Sequence, residues 1–266
     1  MTKNLTKLLL LFFGIGLIFS SCVPKKKMVF LQTESTISDT IFNYHRIDYK
    51  LQANDIIDVK IVSLDEKVNK LFNTSVAASG NVAQTANYGD LYYVTGYNID
   101  DSGNVNLPII GDVNILNKTL EEARMEIDKY VFKYFSKYFL SVKLGGIRFS
   151  AIGEFKAPGK YTILQNQATI FEAIALAGDL NMVASRADVK LIRQYPEGTK
   201  IHTLDLLSRG IINTPYYFIQ PNDVIYVEPL KAKSWGVGVN AAQSTALILS
   251  LLSSTLLIIV SFNNLK

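Results

Sequence analysis

The chain has 266 residues, 48% of them hydrophobic, and a formal net charge of +4 at pH 7. This length accommodates two modest domains. Lys3 and Lys7 lie in a segment that we expect to be removed, so the remainder carries a charge of +2, which is too weak to indicate a nucleic-acid partner. One cysteine and two histidines exclude an internal disulfide and favour neither a zinc cluster nor a Cys/His nucleophile. We therefore expect no metal, no cofactor and no catalytic residue.

The N-terminus has the pattern of an export signal over residues 1–21. Lys3 and Lys7 form a basic start, residues 8–19 are an apolar run too short to span a bilayer comfortably, and two serines precede Cys22. The sequence "FSSC" resembles the lipobox of bacterial lipoproteins, which implies that Cys22 carries acyl chains. The alternative is an ordinary signal with a chance cysteine at its end.

We assign residues 22–45 to a lipidated linker. It contains the basic triplet Lys25–Lys27. In the Bacteroidota-like lipoproteins that this signal resembles, acidic residues after the cysteine mark export to the cell surface, so a basic triplet implies retention on the periplasmic side. The lysines could contact anionic headgroups or belong to a solvated linker.

Two distant stretches share one pattern, "LQANDIIDV" at 51–59 and "IQPNDVIYV" at 219–227. Asn tolerates the left-handed conformation and Asp bonds its own backbone, so each stretch predicts a turn that leads into a strand. Asp55 and Asp58 could also be interpreted as an acid/base pair. The turn and the solvent face of the strand explain them better.

Two further stretches, "TLEEA" at 119–123 and "TIFEA" at 169–173, place a Glu three residues after a Thr. This spacing is the capping box, which marks the start of a helix. The first helix is predicted to present an apolar stripe with Leu120, Ala123, Ile127, Tyr130 and Tyr134. Strands, helix, strands, helix and strands in this order indicate an α+β fold in two units. A segment rich in Ser, Asn, Ala and Gly interrupts the first unit at about 64–95, with a candidate short helix at 66–72.

Six aromatic residues follow or end the first helix, interleaved with Lys133 and Lys137. Their rings could stack on sugar rings. Alternatively, they belong to the core and to a sheet edge. They are Tyr130, Phe132, Tyr134, Phe135, Tyr138 and Phe139.

The C-terminal part predicts a transmembrane helix within residues 235–262. Ala241–Phe262 has no charge and would be about 33 Å long as a helix, against about 30 Å of hydrocarbon. Trp235 precedes it as an expected interface anchor. One stripe of the helix is polar and would line a pore if copies surrounded an axis, or would let helices pack closely. The stripe comprises Gln243, Ser250, Ser253, Ser254 and Ser261.

Residues 49–229 resemble the Wza-type outer-membrane polysaccharide export proteins. "YKLQANDIIDVKI" and "GYNIDDSGNVNLPIIGDVNILNKTLEEA" are similar to their polysaccharide export domain, which we place at 46–147. The stretch from "AIGEFKAPGKYTI" to "YFIQPNDVIYVEP" is similar to a soluble-ligand-binding β-grasp (SLBB) domain, which we place at 148–230. Asn54 and Asn222 stand where that family usually has Gly, and one SLBB unit is found where larger members have two.

The resemblance implies a function as well as a fold. Members of this family form closed rings, octamer-like, in the outer membrane, and act with an inner-membrane polysaccharide co-polymerase or tyrosine autokinase. We therefore expect a lipid-anchored homo-oligomeric channel for capsular polysaccharide or exopolysaccharide, with a periplasmic body and no enzymatic activity. The alternative is a membrane-anchored periplasmic ligand-binding or scaffold module without a pore.

Overall fold

The structure is a computed structural model that describes residues 24–32, 41–42, 48–64, 95–231 and 241–264. Its architecture is mixed α/β, with strands in four sheets, as the predicted α+β class requires. Cys22, Trp235 and the candidate helix at 66–72 lie outside the described residues.

The first unit is built on a three-stranded antiparallel sheet of order β2-β1-β5. A separate two-stranded hairpin, β3-β4, and one helix complete it. The elements are β1 Ile56–Ser63, β2 Tyr97–Asn98, β3 Asn104–Leu107, β4 Gly111–Asn114, α1 Leu120–Val131 and β5 Tyr138–Leu144.

Alternation along β1 decides which face of this sheet is buried. Ile57, Val59 and Ile61 are buried, whereas Lys60 and Val62 point outward and are exposed. Because directly opposite residues of an antiparallel pair share a face, Leu144, Val142 and Leu140 of β5 lie on the same inner face. The helix α1 packs there through residues including Ala123, Ile127 and Val131. One apolar layer therefore lies between the helix and the inner face of the sheet.

Both predicted capping boxes are present. The Thr119 N–H donates to Glu122 Oε2 at 2.8 Å, and the Glu122 N–H donates to Thr119 Oγ1 at 3.2 Å. The second pair, Thr169 and Glu172, repeats this at 2.6 and 3.2 Å. Each box satisfies N–H groups that a helix start would otherwise leave unbonded. The two glutamates are therefore helix caps, as predicted.

The second unit is built on a five-stranded mixed sheet of order β10-β9-β12-β6-β7. Strands β12 and β6 are parallel, and the other neighbours are antiparallel. A short helix and a two-stranded ladder, β8-β11, accompany it. The elements are β6 Ile147–Gly153, β7 Gly159–Ile163, β8 Ala168–Thr169, α2 Ile170–Leu176, β9 Ala184–Tyr195, β10 Gly198–Leu204, β11 Phe218–Ile219 and β12 Asp223–Pro229.

Buried side chains of the two units belong to one hydrophobic cluster. Ile61 and Ile127 of the first unit and Ala173 and Ile225 of the second are members, each 0% exposed. Burial of this continuous apolar surface is the main favourable contribution to the fold. The chain between β5 and β6 is only Gly145–Gly146, so the two sheets follow each other directly.

A long helix, α3, covers Ala241–Asn264, so the prediction of a helix at this end is confirmed. Among the described residues, however, no helix is both long and apolar enough to cross a membrane. The prediction for 235–262 is therefore corrected: the described part forms a helix, but that helix does not meet the length and apolarity of a transmembrane span. Residues 235–240 lie outside the described part of the chain.

Candidate functional site

The turn between α1 and β5 divides the six aromatic residues into two groups. Tyr130, Phe135 and Tyr138 are partly buried and pack against the core. The rings of the other three are in solvent: Phe132 is 71% exposed, Tyr134 54% and Phe139 67%. The interpretation as core is therefore confirmed for Tyr130, Phe135 and Tyr138, and stacking of the other three rings on sugars stays a prediction. Exposed rings of this size in one short segment mark a surface available for contact. We call Phe132, Tyr134 and Phe139 the aromatic surface.

Local hydrogen bonds explain why Tyr134 leaves the predicted helical stripe. The helix ends at Val131, and the chain then turns, with the Lys133 N–H donating to the Tyr130 carbonyl at 3.2 Å and the Tyr134 N–H to the Val131 carbonyl at 3.0 Å. Tyr138 is held instead by Asp128, which accepts its hydroxyl at 2.7 Å. Burial and this bond raise the pKa of Tyr138 to about 12. Tyr138 thus ties the strand that follows the turn to α1, whereas Phe132 and Tyr134 in the turn face solvent.

The outer face of the first sheet extends this surface. Phe139 lies directly opposite Val62, which is also exposed. Lys60 follows on the same face, where it pairs with Asp58 at 3.4 Å. Lys133 and Lys137 in the turn are exposed as well. Aromatic rings flanked by ammonium groups can stack on the apolar faces of sugar rings and attract acidic substituents.

Asp58 and Asp55 do not form an acid/base pair. Asp58 stands on the outer face of β1 beside Lys60, whereas Asp55 precedes the strand and is 1% exposed. The Tyr49 hydroxyl donates to Asp55 Oδ2 at 2.6 Å, and the Gln52 N–H donates to the same oxygen at 2.9 Å. The alternative interpretation of the two acids is therefore wrong, and the predicted turn is correct.

The carboxylate of Asp55 is incompletely bonded. Its Oδ1 atom is buried and has no hydrogen-bond partner. Burial raises the pKa of Asp55, and the hydrogen bonds from Tyr49 and Gln52 and the charge of Arg148 oppose this increase. Burial also raises the pKa of Tyr49. An anion at this place is only partly compensated.

The second turn has the same backbone and a different side-chain partner. Asn54 and Asn222 both adopt left-handed φ, 68° and 65°. The Gln220 N–H donates to Asp223 Oδ2 at 2.7 Å, as Gln52 does to Asp55. Asp223, however, is held at both oxygens by the buried Arg193, whose Nε donates to Oδ1 at 2.9 Å and Nη2 to Oδ2 at 2.7 Å.

Burial raises the pKa of Asp223, and Arg193 opposes this increase. The guanidinium also donates from Nη2 to the Phe218 carbonyl at 3.0 Å. This bidentate pair was not predicted, because the two residues are far apart in sequence and meet only through the pairing of β9 with β12.

Arg148 connects the two turns. Its carbonyl accepts the Asn222 N–H at 2.7 Å, and its Nη2 donates to the Asn54 carbonyl at 3.1 Å. The repeated motif therefore brings both turns to one strand, β6, at the junction of the two units. Hydrogen bonds from one residue to both turns constrain the geometry of this junction.

The serines of the predicted polar stripe that the structure describes lie on exposed parts of α3. Ser253 Oγ donates to the Ser250 carbonyl and Ser254 Oγ to the Leu251 carbonyl, both at 2.9 Å. Ser261 is also exposed. The side chain of Gln243 lies outside the described residues, with Cys22 and Trp235. Large apolar side chains of the same helix are in solvent too, with Leu257 70% exposed.

In the part of the chain that the structure describes, no three His, Cys, Asp or Glu side chains lie together in a group that could hold a metal ion.

Sequence comparison matches residues 44–145 to the family of polysaccharide biosynthesis/export proteins. These residues form a polysaccharide export domain. The chain is also similar to two relatives, each an EPS I polysaccharide export outer membrane protein EpsA. The protein from Ralstonia solanacearum is 25% identical over 185 residues, which cover 68% of this chain and 48% of the relative. The protein from Ralstonia nicotianae (strain ATCC BAA-1114 / GMI1000) is 26% identical over 187 residues, which cover 68% and 47%.

The chain thus spans about half the length of the curated relatives that it matches. The resemblance to Wza-type export proteins is confirmed. The polysaccharide export domain contains β1 to β5, the first aspartate turn and the aromatic surface.

Proposed function

We propose that this protein is a component of the outer membrane through which exopolysaccharide or capsular polysaccharide passes to the cell surface. The match of residues 44–145 to the export family carries the proposal. The names of the two relatives support both the cargo class and the outer-membrane location. The protein makes or breaks no bond in the polymer and serves as a passive conduit.

The aromatic surface is proposed to contact the polymer. Phe132, Tyr134 and Phe139 expose their rings, and exposed aromatic rings offer flat apolar faces for pyranose rings at little cost in side-chain entropy. Lys133 and Lys137 add positive charge between the rings. An acidic polymer would therefore bind more tightly than a neutral one, and the difference would shrink as salt is added.

Binding of the cell's own exopolysaccharide to the purified chain tests this contact. The triple variant Phe132→Ala, Tyr134→Ala and Phe139→Ala should weaken binding at least about tenfold, because each ring contact contributes about 1 kcal/mol. Ile201→Ala is the matched control, since Ile201 is 66% exposed on the second unit. Equal affinities of wild type and triple variant would refute the polymer contact.

We further propose that identical subunits assemble into a closed ring and that α3 contributes to the contact between them. A monomer would leave the leucines of α3 in water, and small residues allow helices to approach closely. The stripe of Gln243, Ser250, Ser253, Ser254 and Ser261 would be the packing face. Head-to-tail contacts of identical chains form such a ring when the rotation between neighbouring subunits closes after a whole number of copies.

Images of detergent-extracted particles test the assembly. We expect rings with a central lumen, which Ser253→Trp with Ser254→Trp should disperse into smaller species. Thr255→Trp is the control, because successive residues turn by about 100° and Thr255 points to the other side of the helix. Monomers in the wild type would contradict the ring.

Two further parts of the proposal concern partners. Acyl chains on Cys22 would anchor the chain to the outer membrane, and mass spectrometry of the extracted protein detects them directly. An inner-membrane polysaccharide co-polymerase or tyrosine autokinase would deliver the polymer. Cross-linking in cells, followed by identification of the inner-membrane protein captured, tests that partner.

A further inference from the structure

The segment Lys25–Gln32 runs from a basic turn to a contact with the second unit. Lys25–Lys27 form a 3₁₀ helix whose three side chains are exposed. Phe30, Leu31 and Gln32 then pack on residues that are more than 130 positions away in sequence. The segment is thus fixed at one end and solvated at the other.

Side-chain contacts hold Phe30 on the second unit. Its ring meets Phe171 of α2 edge to face, with centroids 5.7 Å apart. The Arg186 guanidinium lies over the same ring at 5.2 Å. Arg186 is 5% exposed, so the aromatic ring covers a buried cation. Both contacts are favourable geometries for an aromatic ring.

Backbone hydrogen bonds fix the residues that follow. The Leu31 N–H donates to the Leu206 carbonyl at 3.1 Å, and Arg209 Nε donates to the Leu31 carbonyl at 3.0 Å. Gln32 and Ser208 form a parallel bridge. Residues 31–32 therefore run alongside the loop after β10 and bond to its backbone as a neighbouring strand would.

The distance from residue 22 to this contact is short. Phe30 lies eight positions after Cys22, and eight extended residues span at most about 28 Å. The 3₁₀ helix shortens it, since its rise is only about 2 Å per residue. Any membrane anchor at Cys22 therefore keeps the face formed by Phe171, Leu206 and Arg209 close to the bilayer.

The three lysines are not neutralised within the described residues, where no ion pair includes Lys25, Lys26 or Lys27. They lie between the position of the anchor and the docked residues. Each ammonium group at a surface of anionic lipids strengthens binding about fivefold, so three strengthen it about 100-fold together.

We propose that Lys25–Gln32 is a membrane-apposition segment: Phe30–Gln32 dock on the second unit, and Lys25–Lys27 contact acidic phospholipid headgroups. This inference rests on the proposed outer-membrane location. It assigns to the second unit, rather than to the polysaccharide export domain, the face that lies against the bilayer. The ligand class is the anionic phosphate of a phospholipid headgroup in a membrane surface.

Fluorescence quenching tests both halves of the proposal on the full chain. Asn213→Cys, next to the docking face, takes a fluorophore, and the protein is reconstituted with vesicles that carry a headgroup quencher. Vesicles with about one third phosphatidylglycerol should quench strongly, and purely zwitterionic vesicles at least about threefold less. Lys25→Gln with Lys26→Gln and Lys27→Gln should reduce quenching on acidic vesicles to the zwitterionic level. The control Lys143→Gln with Lys160→Gln and Lys200→Gln removes the same charge elsewhere and should change nothing.

Phe30→Ala separates docking from lipid binding. It keeps the three lysines and should still lose quenching at residue 213, because the second unit is no longer held to the segment. Unchanged quenching in the lysine variant would overturn the headgroup contact, and unchanged quenching in Phe30→Ala would overturn the docking. Inorganic phosphate that abolished quenching at millimolar concentration would assign the lysines to a free anion instead of a membrane. Normal surface polysaccharide in cells without this chain would defeat the proposed function and leave these results unaffected.

Discussion

The two aspartate turns have the same backbone and solve the burial of a carboxylate differently. Asp223 binds Arg193 through both oxygens, whereas Asp55 accepts from Tyr49 and Gln52 at one oxygen and leaves the other unbonded. Each carboxylate is 1% exposed. The turn fixes the position of the carboxylate, and its partner decides whether a full negative charge is tolerated there. Two copies of one sequence motif can therefore contribute differently to the free energy of unfolding.

The largest expected effect comes from removing the charge of the fully paired turn. Asp223→Asn leaves the buried Arg193 without its anion and should lower the free energy of unfolding by about 3–5 kcal/mol. Asp55→Asn is the matched variant, and we expect it to cost about 1 kcal/mol or less, because no buried cation loses its partner. Urea unfolding of both variants measures the difference. Equal losses would show that the two turns are energetically equivalent.

The pH dependence of stability gives the next effect. Because burial raises the pKa of Asp55, the folded state binds the proton more tightly than the unfolded state. The free energy of unfolding should therefore fall as the pH rises from the ordinary Asp pKa, about 3.9, through the raised value in the folded chain.

Asp55→Asn should remove this component, so the difference between wild type and variant isolates Asp55 from Asp223, whose pKa is shifted in the same direction. Chemical unfolding at pH values from 4 to 8 measures it. A difference between the two proteins that does not change with pH would contradict the partly compensated anion.

Arg148 tests the connection between the turns. Arg148→Met removes the side-chain bond to the Asn54 carbonyl and keeps the backbone bond to Asn222, so we expect a loss of about 1 kcal/mol. Hydrogen exchange should show the added opening at the amides around Asn54 rather than around Asn222. Faster exchange of equal size at both turns would indicate that Arg148 acts on the whole core.

The smallest effect is expected at the two left-handed residues. Asn54→Gly and Asn222→Gly remove the strain of positive φ and add entropy to the unfolded chain, so each should change the free energy of unfolding by less than about 1 kcal/mol. The two changes should also be alike, since the backbones are alike. Thermal unfolding of the single variants compares them, and a large loss at one turn alone would show that its Asn side chain has a further contact.

Local features of this fold are predictable from sequence because their partners are close along the chain. The Asn-Asp turns and both capping boxes involve residues three positions apart, and all four are present. The pairing of Arg193 with Asp223 is not predictable in this way, since it depends on the register of β9 against β12. The contact between Phe30 and Phe171 is not predictable either, because the two residues are distant in sequence and come together only in the folded chain.

The aromatic surface illustrates the limit for the candidate site. Periodicity placed Tyr134 on the apolar stripe of α1, but the helix ends at Val131 and a turn directs Tyr134 into solvent. Phe139 and Leu140 are adjacent on β5, and only the pairing with β1 decides that Leu140 faces the core. Sequence therefore identified the segment, and the ends of the elements determined which rings are exposed.

Polysaccharide location in cells that lack this chain tests the central claim most directly. The account predicts that polymer disappears from the cell surface and accumulates in the periplasm, that the wild-type chain restores export, and that the triple variant at Phe132, Tyr134 and Phe139 restores it poorly at equal abundance. Normal surface polymer in cells without the chain would contradict a role in export.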